Sequence, residues 1–370
     1  FVRILVDLVE RQHRIPLGIG RVPHDPMAEG QVPCPVRLRR ESESDELRAR
    51  SVAEGEGAHA HRGRRPQGWA RYAAGTAAVL AWEGAQLESV EAAVVSDLPA
   101  GAGLSSSAAL EAASALAFLA VAGQQKRFAP DRLALICQKA EHKFAGVMCG
   151  IMDQFSVIMG RDGEALYLDC HNLFAQHVPL PGDLAVLVAD SGVPRRLEEA
   201  AYNQRRADCE AAADLMSTEL GRRVSLAEVT HDELVGYGEK VLDERQFRRA
   251  RHVIGEELRT ARAVDFLKRG QLEAFGEIAR ESHRSLAEDF EVSCRELDTL
   301  VRLACGLDGV YGARLTGAGF GGAAVVFCAA EAAGDVADQL RDYYKVETGL
   351  ECSPVRVRPA AGARVEELAE

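Results

Sequence analysis

The chain has 370 residues, of which 47% are hydrophobic and 27% are charged, a balance typical of a globular protein with a sizeable apolar core. Its formal net charge of −12 argues against nucleic acid or an anionic membrane surface as the main partner. The length favours two domains, and we expect one lobe over residues 1–175 and a second over 176–370.

The nine cysteines form no recognisable framework, since their number is odd and no C-x-x-C pair occurs. They are Cys34, Cys137, Cys149, Cys170, Cys209, Cys294, Cys305, Cys328 and Cys352. This usage is typical of a reduced intracellular chain without disulfides or a zinc site. The longest apolar run, residues 112–122, is too short to span a bilayer, and no signal peptide is visible. We therefore expect a cytoplasmic protein, and we expect it to be a monomer.

The segment before residue 67 shows no clear helical or alternating pattern. It is rich in Arg, His, Pro and Glu. Residues 18–22 (GIGRV) have some resemblance to a binding loop, and a plain turn is the alternative. Residues 41–56 are mostly charged and small, which is compatible with a loop, a surface helix or disorder.

Regular patterns begin at about residue 68. In chain order they predict a helix over 73–80, a strand over 90–95, a helix that ends near 123, a helix over 131–144, a helix with Asp153 in its first turn, strands over 165–169 and 184–189, a helix over 197–215, several helices over 225–303, strands over 310–316 and 323–328, a helix over 330–344, and a strand over 354–357. Gly270 is the predicted break between two of the helices within 225–303.

The chain is organised around residues 99–110 (PAGAGLSSSAAL). Gly101 and Gly103 allow positive φ angles and the close approach of a ligand. The serines that follow supply hydroxyls and a predicted side-chain cap for the next helix. A Gly-rich loop that opens a helix can bind an anion, because backbone N–H groups point outward and the helix dipole favours negative charge. Phosphate is the expected anion, and a tight turn before a core helix is the alternative.

Two acidic residues downstream are candidate functional groups. Glu141 follows Leu133 and Cys137 at helical spacing, which places it within or beside an apolar face. A carboxylate there is costly unless a cation pairs with it. The open alternatives are a side chain that bends out to solvent and a metal ligand. Asp153 is either a surface acid that favours the helix dipole or a functional acid.

Residues 317–322 (GAGFGG) also match the pattern G-x-G-x-x-G. They connect two predicted strands, whereas a dinucleotide-binding fingerprint connects a strand to a helix, so we reject that interpretation. The chain contains neither a P-loop nor the protein-kinase signature set.

Phosphoryl transfer needs a phosphate cradle, a cation, and a group that orients or deprotonates the attacking hydroxyl. Residues 101–107 are the candidate cradle. Ser107 and Glu141 offer oxygen ligands to Mg²⁺, which binds few protein oxygens and keeps several waters. Asp153 is the candidate proton acceptor.

These motifs resemble those of the GHMP small-molecule kinases. Residues 99–109 are similar to the second signature of that superfamily, and residues 315–322 (LTGAGFGG) are similar to its third. Other segments resemble the galactokinase family in particular. They are WARY at 69–72, CQKAEH at 137–142, CGIMDQF at 149–155, YNQRR at 202–206 and EVSCRELD at 291–298.

The resemblance implies an α+β fold with two lobes and a site in the cleft between them. The N-terminal lobe would be similar to ribosomal protein S5, and the C-terminal lobe would be ferredoxin-like. The implied reaction transfers a phosphoryl group from ATP to D-galactose and gives galactose 1-phosphate, with ATP and Mg²⁺ as cofactors.

The resemblance also implies roles for single residues. The implied ATP-binding residues are Gly101, Ala102, Gly103, Leu104, Ser105, Ser106 and Ser107. Ser107 and Glu141 would bind Mg²⁺, and Asp153 would accept the proton of the anomeric hydroxyl. Gly150, Asp153 and Tyr202 would contact the sugar.

Less specific roles are implied for two other segments. Trp69 and Tyr72 would line the nucleotide side of the site. The glycines at 317–322 would pack against the phosphate loop and help to close the site.

One family motif is missing. Galactokinases carry a first signature, GRVNLIGEHTDY, whose Arg stabilises the transferred charge and whose Glu, His and Asp bind sugar hydroxyls. In this chain GRV at 20–22 is followed by PHD at 23–25, which leaves Arg21, His24 and Asp25 as candidate replacements. Two explanations are open: the true motif lies upstream of the first residue, or the N-terminal segment comes from a shifted reading frame.

Two other functions are compatible with the sequence. A sugar- and ATP-sensing regulator would bind both ligands without turnover, since a fold does not determine a function. A kinase for a related sugar, such as N-acetylgalactosamine, would differ in its sugar contacts. The intact serines and Asp153 favour catalysis, and the missing first motif favours its loss.

Overall fold

The computed structural model of the chain describes residues 2–5, 17–21, 36–40, 68–88, 90–94, 96, 105–193 and 198–367. The chain divides into two compact units. The first contains Phe1–Pro99, Ser105–Ala175 and Pro359–Glu370, and the second contains Ala100–Leu104 and Gln176–Arg358.

Both units contain strands and helices. The strands are β1 (Val2–Leu5), β2 (Leu17–Arg21), β3 (Val36–Arg40), β4 (Val90–Val94), β5 (Glu164–Asp169), β6 (Phe174–Pro179), β7 (Leu184–Asp190), β8 (Val310–Leu315), β9 (Ala323–Ala329), β10 (Val355–Val357) and β11 (Arg364–Glu367). The helices are α1 (Ala70–Trp82), α2 (Ser106–Val121), α3 (Pro130–Ala140), α4 (Met152–Met159), α5 (Glu198–Leu220), α6 (Glu244–Lys268), α7 (Leu272–Glu288), α8 (Arg295–Cys305) and α9 (Ala333–Thr348).

Shorter helical segments connect several of these helices. They are a π-helical turn over Glu141–Ala145, a 3₁₀ turn over Leu226–Glu228, and three consecutive pieces over His231–Glu233, Leu234–Gly238 and Glu239–Val241. Gly270 has a φ of 65° and separates α6 from α7, as predicted.

The first unit contains a five-stranded sheet with the order β11-β1-β2-β4-β3. β3 runs parallel to β4, and the other neighbours are antiparallel. All five residues of β2 pair with β4, so residues 17–21 form a strand, and neither the binding loop nor the plain turn considered for 18–22 is present over 18–21. The predicted second lobe ran to residue 370, whereas residues 359–370 belong to the first unit, because β11 pairs with β1.

The core of the first unit lies between this sheet and the helices. α2 packs on α1, α3, α4 and strands of the sheet. It is rich in alanine, which favours helix and allows close packing. α1 approaches the π-helical turn closely, since a Cβ added at Gly75 would lie 2.8 Å from the Cβ of Phe144. This packing brings the start of α2 and the end of α3 into one region.

The second unit contains a four-stranded sheet with the order β10-β7-β9-β8, in which all neighbours are antiparallel. In chain order its elements are a strand, several helices, two strands, a helix and a strand. This β-α-β-β-α-β order is the ferredoxin-like arrangement, which confirms the expectation for this lobe.

The glycine-rich segment 317–322 connects β8 to β9, as the sequence predicted. Gly319 has a φ of 82°, and a Cβ there would lie 2.1 Å from the carbonyl oxygen of Val292. Only glycine allows this close approach. The third signature is therefore packed directly against the segment that precedes α8.

Candidate active site

The first turn of α2 carries the serines of the predicted phosphate loop. Ser105 occupies the N-cap position with a φ of 54°, in the left-handed region, and its side chain makes no capping hydrogen bond. The prediction of a serine side-chain cap is therefore wrong for Ser105, because N-cap residues that cap have extended backbone angles. Left-handed conformations of residues other than glycine are strained and cluster at functional sites. Residues 101–104 of the predicted loop lie outside the described residues.

Glu141 stands where α3 changes into the π-helical turn, a type of irregularity that is frequent at functional sites. Leu133 and Cys137 are buried on the same face of α3, as their spacing predicted. Glu141 is only 4% exposed. The alternative in which its side chain bends out to solvent is therefore wrong.

The loop between the π-helical turn and α4 is held by α3. The carbonyl oxygen of Cys149 lies 3.2 Å from Nε2 of Gln138 and 2.8 Å from Nε2 of His142. Gly150 follows and is exposed. Asp153 lies in the first turn of α4, as predicted, and is half-buried.

Three buried side chains from three helices meet beside these elements. Nε2 of Gln154 lies 2.8 Å from Oε2 of Glu141 and 3.2 Å from Oε2 of Glu111. The thiol of Cys149 donates to the same Oε2 of Glu141 at 3.2 Å. The hydroxyl of Ser107 also forms a hydrogen bond with the Glu141 carboxyl group. The structure thus brings Ser107 and Glu141 together, as a shared metal site requires.

Burial controls the protonation of this cluster. Desolvation, together with the negative charges of Glu141 and Asp153, raises the pKa of Glu111 to about 10. Desolvation also raises the pKa of Glu141, although hydrogen bonds from Cys149, Ser107 and Gln154 oppose the shift. Burial beside Glu141 raises the pKa of the Cys149 thiol. At neutral pH the proton of this cluster therefore resides on Glu111.

The sequence analysis missed Glu111 and Gln154. Glu111 follows Ser107 by four residues, so both lie on the same face of α2. It is also the only charged residue within the apolar stretch 108–122. That isolation was the signal that could have revealed it, since a lone acid in an apolar helix must find a partner.

The oxygen donors fit a magnesium ion. Among the residues that the structure describes, no group of three or more His, Cys, Asp or Glu side chains could hold a metal. Mg²⁺ does not need such a cage, because it binds through one or two protein oxygens together with substrate phosphates and water. A serine hydroxyl in contact with a buried carboxylate, at the start of a helix, meets that requirement.

For the other predicted site residues, the structure shows no hydrogen bond with this cluster within the described part of the chain. Trp69 packs against the core of the first unit, and the ring of Tyr72 lies 5.3 Å from the Arg71 guanidinium. Tyr202 lies on α5 in the second unit, and its side chain is outside the described residues. Arg21 is the last residue of β2. The candidates His24 and Asp25 lie outside the described residues.

Three of the family segments meet in the second unit. Arg205 of the YNQRR segment donates to the carbonyl oxygens of Phe290 and Glu291, at 2.7 and 3.0 Å. Phe320 of the third signature donates its N–H to the carbonyl oxygen of Val292, at 2.7 Å. The segment at 290–292 is therefore bound on one side by α5 and on the other by the third signature.

Comparison with known proteins identifies the family. The chain matches the GHMP kinases N terminal domain over residues 71–161 and the GHMP kinases C terminal domain over residues 263–346. It is 41% identical over 294 residues to a galactokinase from Chloroflexus aurantiacus, which is 80% of this chain and 75% of that protein. The chain belongs to the galactokinase family of the GHMP kinases. It is also 45% identical over 282 residues to the human galactokinase, which is 75% of this chain and 68% of that protein.

A solved structure supports the same family. The structure of Lactococcus lactis galactokinase in complex with galactose matches with a TM-score of 0.80 and 28% identity, over 98% of this chain and 95% of that chain. The predicted α+β GHMP kinase fold is thereby confirmed, and the chain is a sugar kinase by family. None of the helices in the described part is long and apolar enough to cross a membrane.

Proposed function

We propose that this chain transfers the γ-phosphoryl group of ATP to the anomeric hydroxyl of D-galactose, which gives galactose 1-phosphate and ADP. The observation that carries the proposal is the convergence of Ser107, Glu141 and Asp153 in one unit. The Ser107 hydroxyl bonds to Glu141, and the charge of Asp153 acts on the same carboxyl group. The galactokinases among the relatives, one of them solved with galactose, support the choice of sugar.

The start of α2 would hold the phosphates of ATP. The first backbone N–H groups of a helix have no partner within the helix, and the dipole places partial positive charge there. Ser105 makes no side-chain cap, so its hydroxyl does not satisfy these groups. Ser105, Ser106 and Ser107 are each half-buried, and each offers a hydroxyl beside the N–H groups. Gly101 to Leu104 would complete the cradle.

Ser107 and Glu141 would hold Mg²⁺, which supplies charge neutralisation at the transferred phosphoryl group. Glu111 keeps its proton at neutral pH, so the charge of the buried pair that is available to a cation is that of the Glu141 carboxylate. Hydrogen bonds from Cys149 and Gln154 stabilise that charge in a site from which water is largely excluded.

Asp153 would accept the proton of the anomeric hydroxyl as the hydroxyl attacks phosphorus. Its place in the first turn of α4 fixes its backbone, and Cys149, held by Gln138 and His142, fixes the loop before it. Gly150 would let the sugar approach bare backbone, and Tyr202 would also contact the sugar.

We further infer that the protein works in the cytoplasm, as a monomer and without a nucleic acid partner. The eight described cysteines are free, which supports a reducing compartment. The net charge of −12 supports the exclusion of nucleic acid. Light scattering should give a mass near 39.9 kDa, and twice that mass would contradict the monomer.

The direct test is ADP release by the purified chain with Mg·ATP and D-galactose, beside glucose and N-acetylgalactosamine. We expect release that depends on galactose. No release with any of the sugars, from a protein that still binds ATP, would contradict a kinase. Release with N-acetylgalactosamine alone would contradict galactose as the substrate.

A further inference from the structure

Gln154 follows Asp153 in sequence, yet its side chain has a different environment. Gln154 is 0% exposed, whereas Asp153 is half-buried. Consecutive residues of an α-helix point about 100° apart, so neighbours on α4 reach different surroundings. The amide of Gln154 is thus enclosed by protein, directly behind the proposed proton acceptor.

The amide nitrogen of Gln154 joins two helices to α4. It lies 2.8 Å from Oε2 of Glu141, at the end of α3, and 3.2 Å from Oε2 of Glu111, on α2. A side-chain amide has two N–H donors, so it can donate one hydrogen bond to each carboxyl group. Gln154 therefore holds the two acids at a fixed separation, although their burial would otherwise favour repulsion.

The orientation of the amide follows from these two bonds. Among the described residues, Oε1 of Gln154 is buried and has no hydrogen-bond partner, and the same is true of Oε1 of Glu111. If the amide were turned over, its oxygen would face the Glu141 carboxylate, and that attractive contact would become repulsive. The orientation therefore keeps an N–H donor of Gln154 on Glu141.

Glu141 receives its hydrogen bonds unevenly. Gln154 and Cys149 both donate to Oε2, at 2.8 and 3.2 Å. Two donors on one oxygen fix the plane of the carboxyl group. Oε1 is then the oxygen with the greater capacity left for a cation.

We propose that Gln154 is a positioning residue for the metal site, which holds Glu141 through Oε2 so that the carboxylate presents its other oxygen to the cation. Glu111 acts as the anchor on α2 that keeps the amide of Gln154 in place. This inference rests on the proposed function, because it concerns the proposed metal ligand. Groups that orient a metal ligand in this way affect metal affinity by about 10- to 100-fold.

The test is Gln154→Met, which keeps the length and volume of the side chain and removes both donors. The probe is Mn²⁺, measured by electron paramagnetic resonance on the full chain with a non-hydrolysable ATP analogue. We expect the affinity for Mn²⁺ to fall about 10- to 100-fold. Binding of the analogue without metal, measured by calorimetry, should be unchanged.

Two matched variants separate positioning from other roles. Gln124→Met makes the same change at a surface glutamine of the same unit, whose Nε2 donates to the carbonyl oxygen of Gln86, and should leave the Mn²⁺ affinity unchanged. Glu111→Gln keeps an acceptor for the Gln154 amide. Its Mn²⁺ affinity should fall by no more than about twofold, which is far less than the loss expected for Gln154→Met.

Each contrary outcome overturns the inference in a distinct way. Unchanged Mn²⁺ affinity in a folded Gln154→Met protein would make Gln154 a structural residue only. An affinity loss in Glu111→Gln equal to that in Glu141→Gln would make Glu111 a ligand and not an anchor. If the unaltered chain bound no Mn²⁺ with the analogue, the metal site and the inference would fall together. Failure to phosphorylate galactose, with Mn²⁺ binding intact, would contradict only the proposed function.

Discussion

Both units bury a cluster of polar side chains, but the two clusters differ in how their charge is compensated. In the first unit, Glu111 and Glu141 are 0% and 4% exposed. Within the described ranges, no ion pair joins either acid to an arginine or a lysine, and the groups that act on them are hydrogen-bond donors and other acids. This cluster has more negative charge than its surroundings neutralise.

The cluster in the second unit is neutralised within itself. Arg249 is 1% exposed, and its Nε lies 3.8 Å from Oδ2 of Asp208. Its other nitrogens donate to Glu291 and to the carbonyl oxygen of Asp289. Arg248 also pairs with Glu291, at 2.8 Å. Every acid of this cluster has a cation within reach.

The difference separates a structural cluster from a functional one. Buried charges that serve the fold are paired, since an unpaired buried charge is costly. Buried acids without a cation of the protein are typical of sites that bind one or transfer protons. The absence of a compensating cation at Glu111 and Glu141, within the described residues, supports the proposal that the first cluster binds one.

The largest effect should come from Asp153→Asn. Removal of a proton acceptor lowers turnover by about 10²- to 10⁴-fold, while ATP binding by calorimetry should persist. Asp131→Asn is the matched control, since Asp131 lies in the first turn of the neighbouring α3 and is exposed. Equal turnover in Asp153→Asn and the unaltered chain would remove Asp153 from the catalytic role.

Arg249→Met should destabilise the second unit, because Arg249 is the central cation of its buried ion-pair cluster. It removes the buried cation that Asp208 and Glu291 share and leaves them only the more exposed Arg245 and Arg248. The loss should therefore be at most about 3–5 kcal/mol, the cost of a fully broken buried ion pair. The midpoint of urea unfolding should fall accordingly.

Arg302→Met is the control, because Arg302 and its partner Glu347 are exposed and such pairs contribute about 0–1 kcal/mol. Equal shifts in the two variants would show that the buried cluster has no special structural role.

The raised pKa of Glu111 should make the free energy of unfolding depend on pH. The Glu111 pKa in the folded chain is about 10, against an ordinary value of 4.5. Between these values the native state holds a proton that the unfolded state has lost, so stability is greatest at low pH and falls as the pH rises. One proton corresponds to about 1.4 kcal/mol per pH unit.

The variant Glu111→Gln cannot titrate and should remove this fall from urea-unfolding midpoints measured between pH 5 and 9. Glu210→Gln, at an exposed position on α5, should keep the slope of the unaltered chain. If Glu111→Gln kept that slope as well, Glu111 would be ionised in the folded protein, and the proton of the cluster would lie elsewhere.

The smallest expected effect is the change in the free energy of unfolding when the N-cap residues of α6 and α2 are replaced. Asp243 caps α6 and accepts from the N–H of Gln246 at 2.7 Å, so Asp243→Ala should lower the free energy of unfolding by about 1 kcal/mol. Ser105 makes no such bond. Ser105→Ala should therefore change stability by less than about 0.5 kcal/mol. A loss at Ser105 as large as that at Asp243 would restore the predicted side-chain cap.

Much of the secondary structure followed from local pattern. The helix with Asp153 in its first turn, the break at Gly270 and the two strands around residues 317–322 are all present. The strands β1, β2, β3, β6 and β11 were not predicted. They are short, and a strand of four to six residues depends on its neighbours more than on its own sequence.

The residues of the candidate site were also predicted only in part from the sequence. Ser107, Glu141 and Asp153 were found from motifs and spacing, and the structure places them in one unit. Glu111 and Gln154 were missed, because Glu111 lies just beyond the segment 99–110 and Gln154 stands beside the more conspicuous Asp153 in CGIMDQF. The cluster at Arg249 was also missed, since its partners lie about 40 residues away along the chain.

The sequence by itself determined the family, the candidate residues for binding phosphate and a cation, and the helices that carry them. These depend on residue type and short spacing, which are local properties. Only the tertiary structure decided that Glu141 is buried, that Glu111 keeps a proton and that one amide joins both acids. The reason is physical: desolvation and hydrogen bonding depend on which helices meet, and that is determined by the packing of the whole unit.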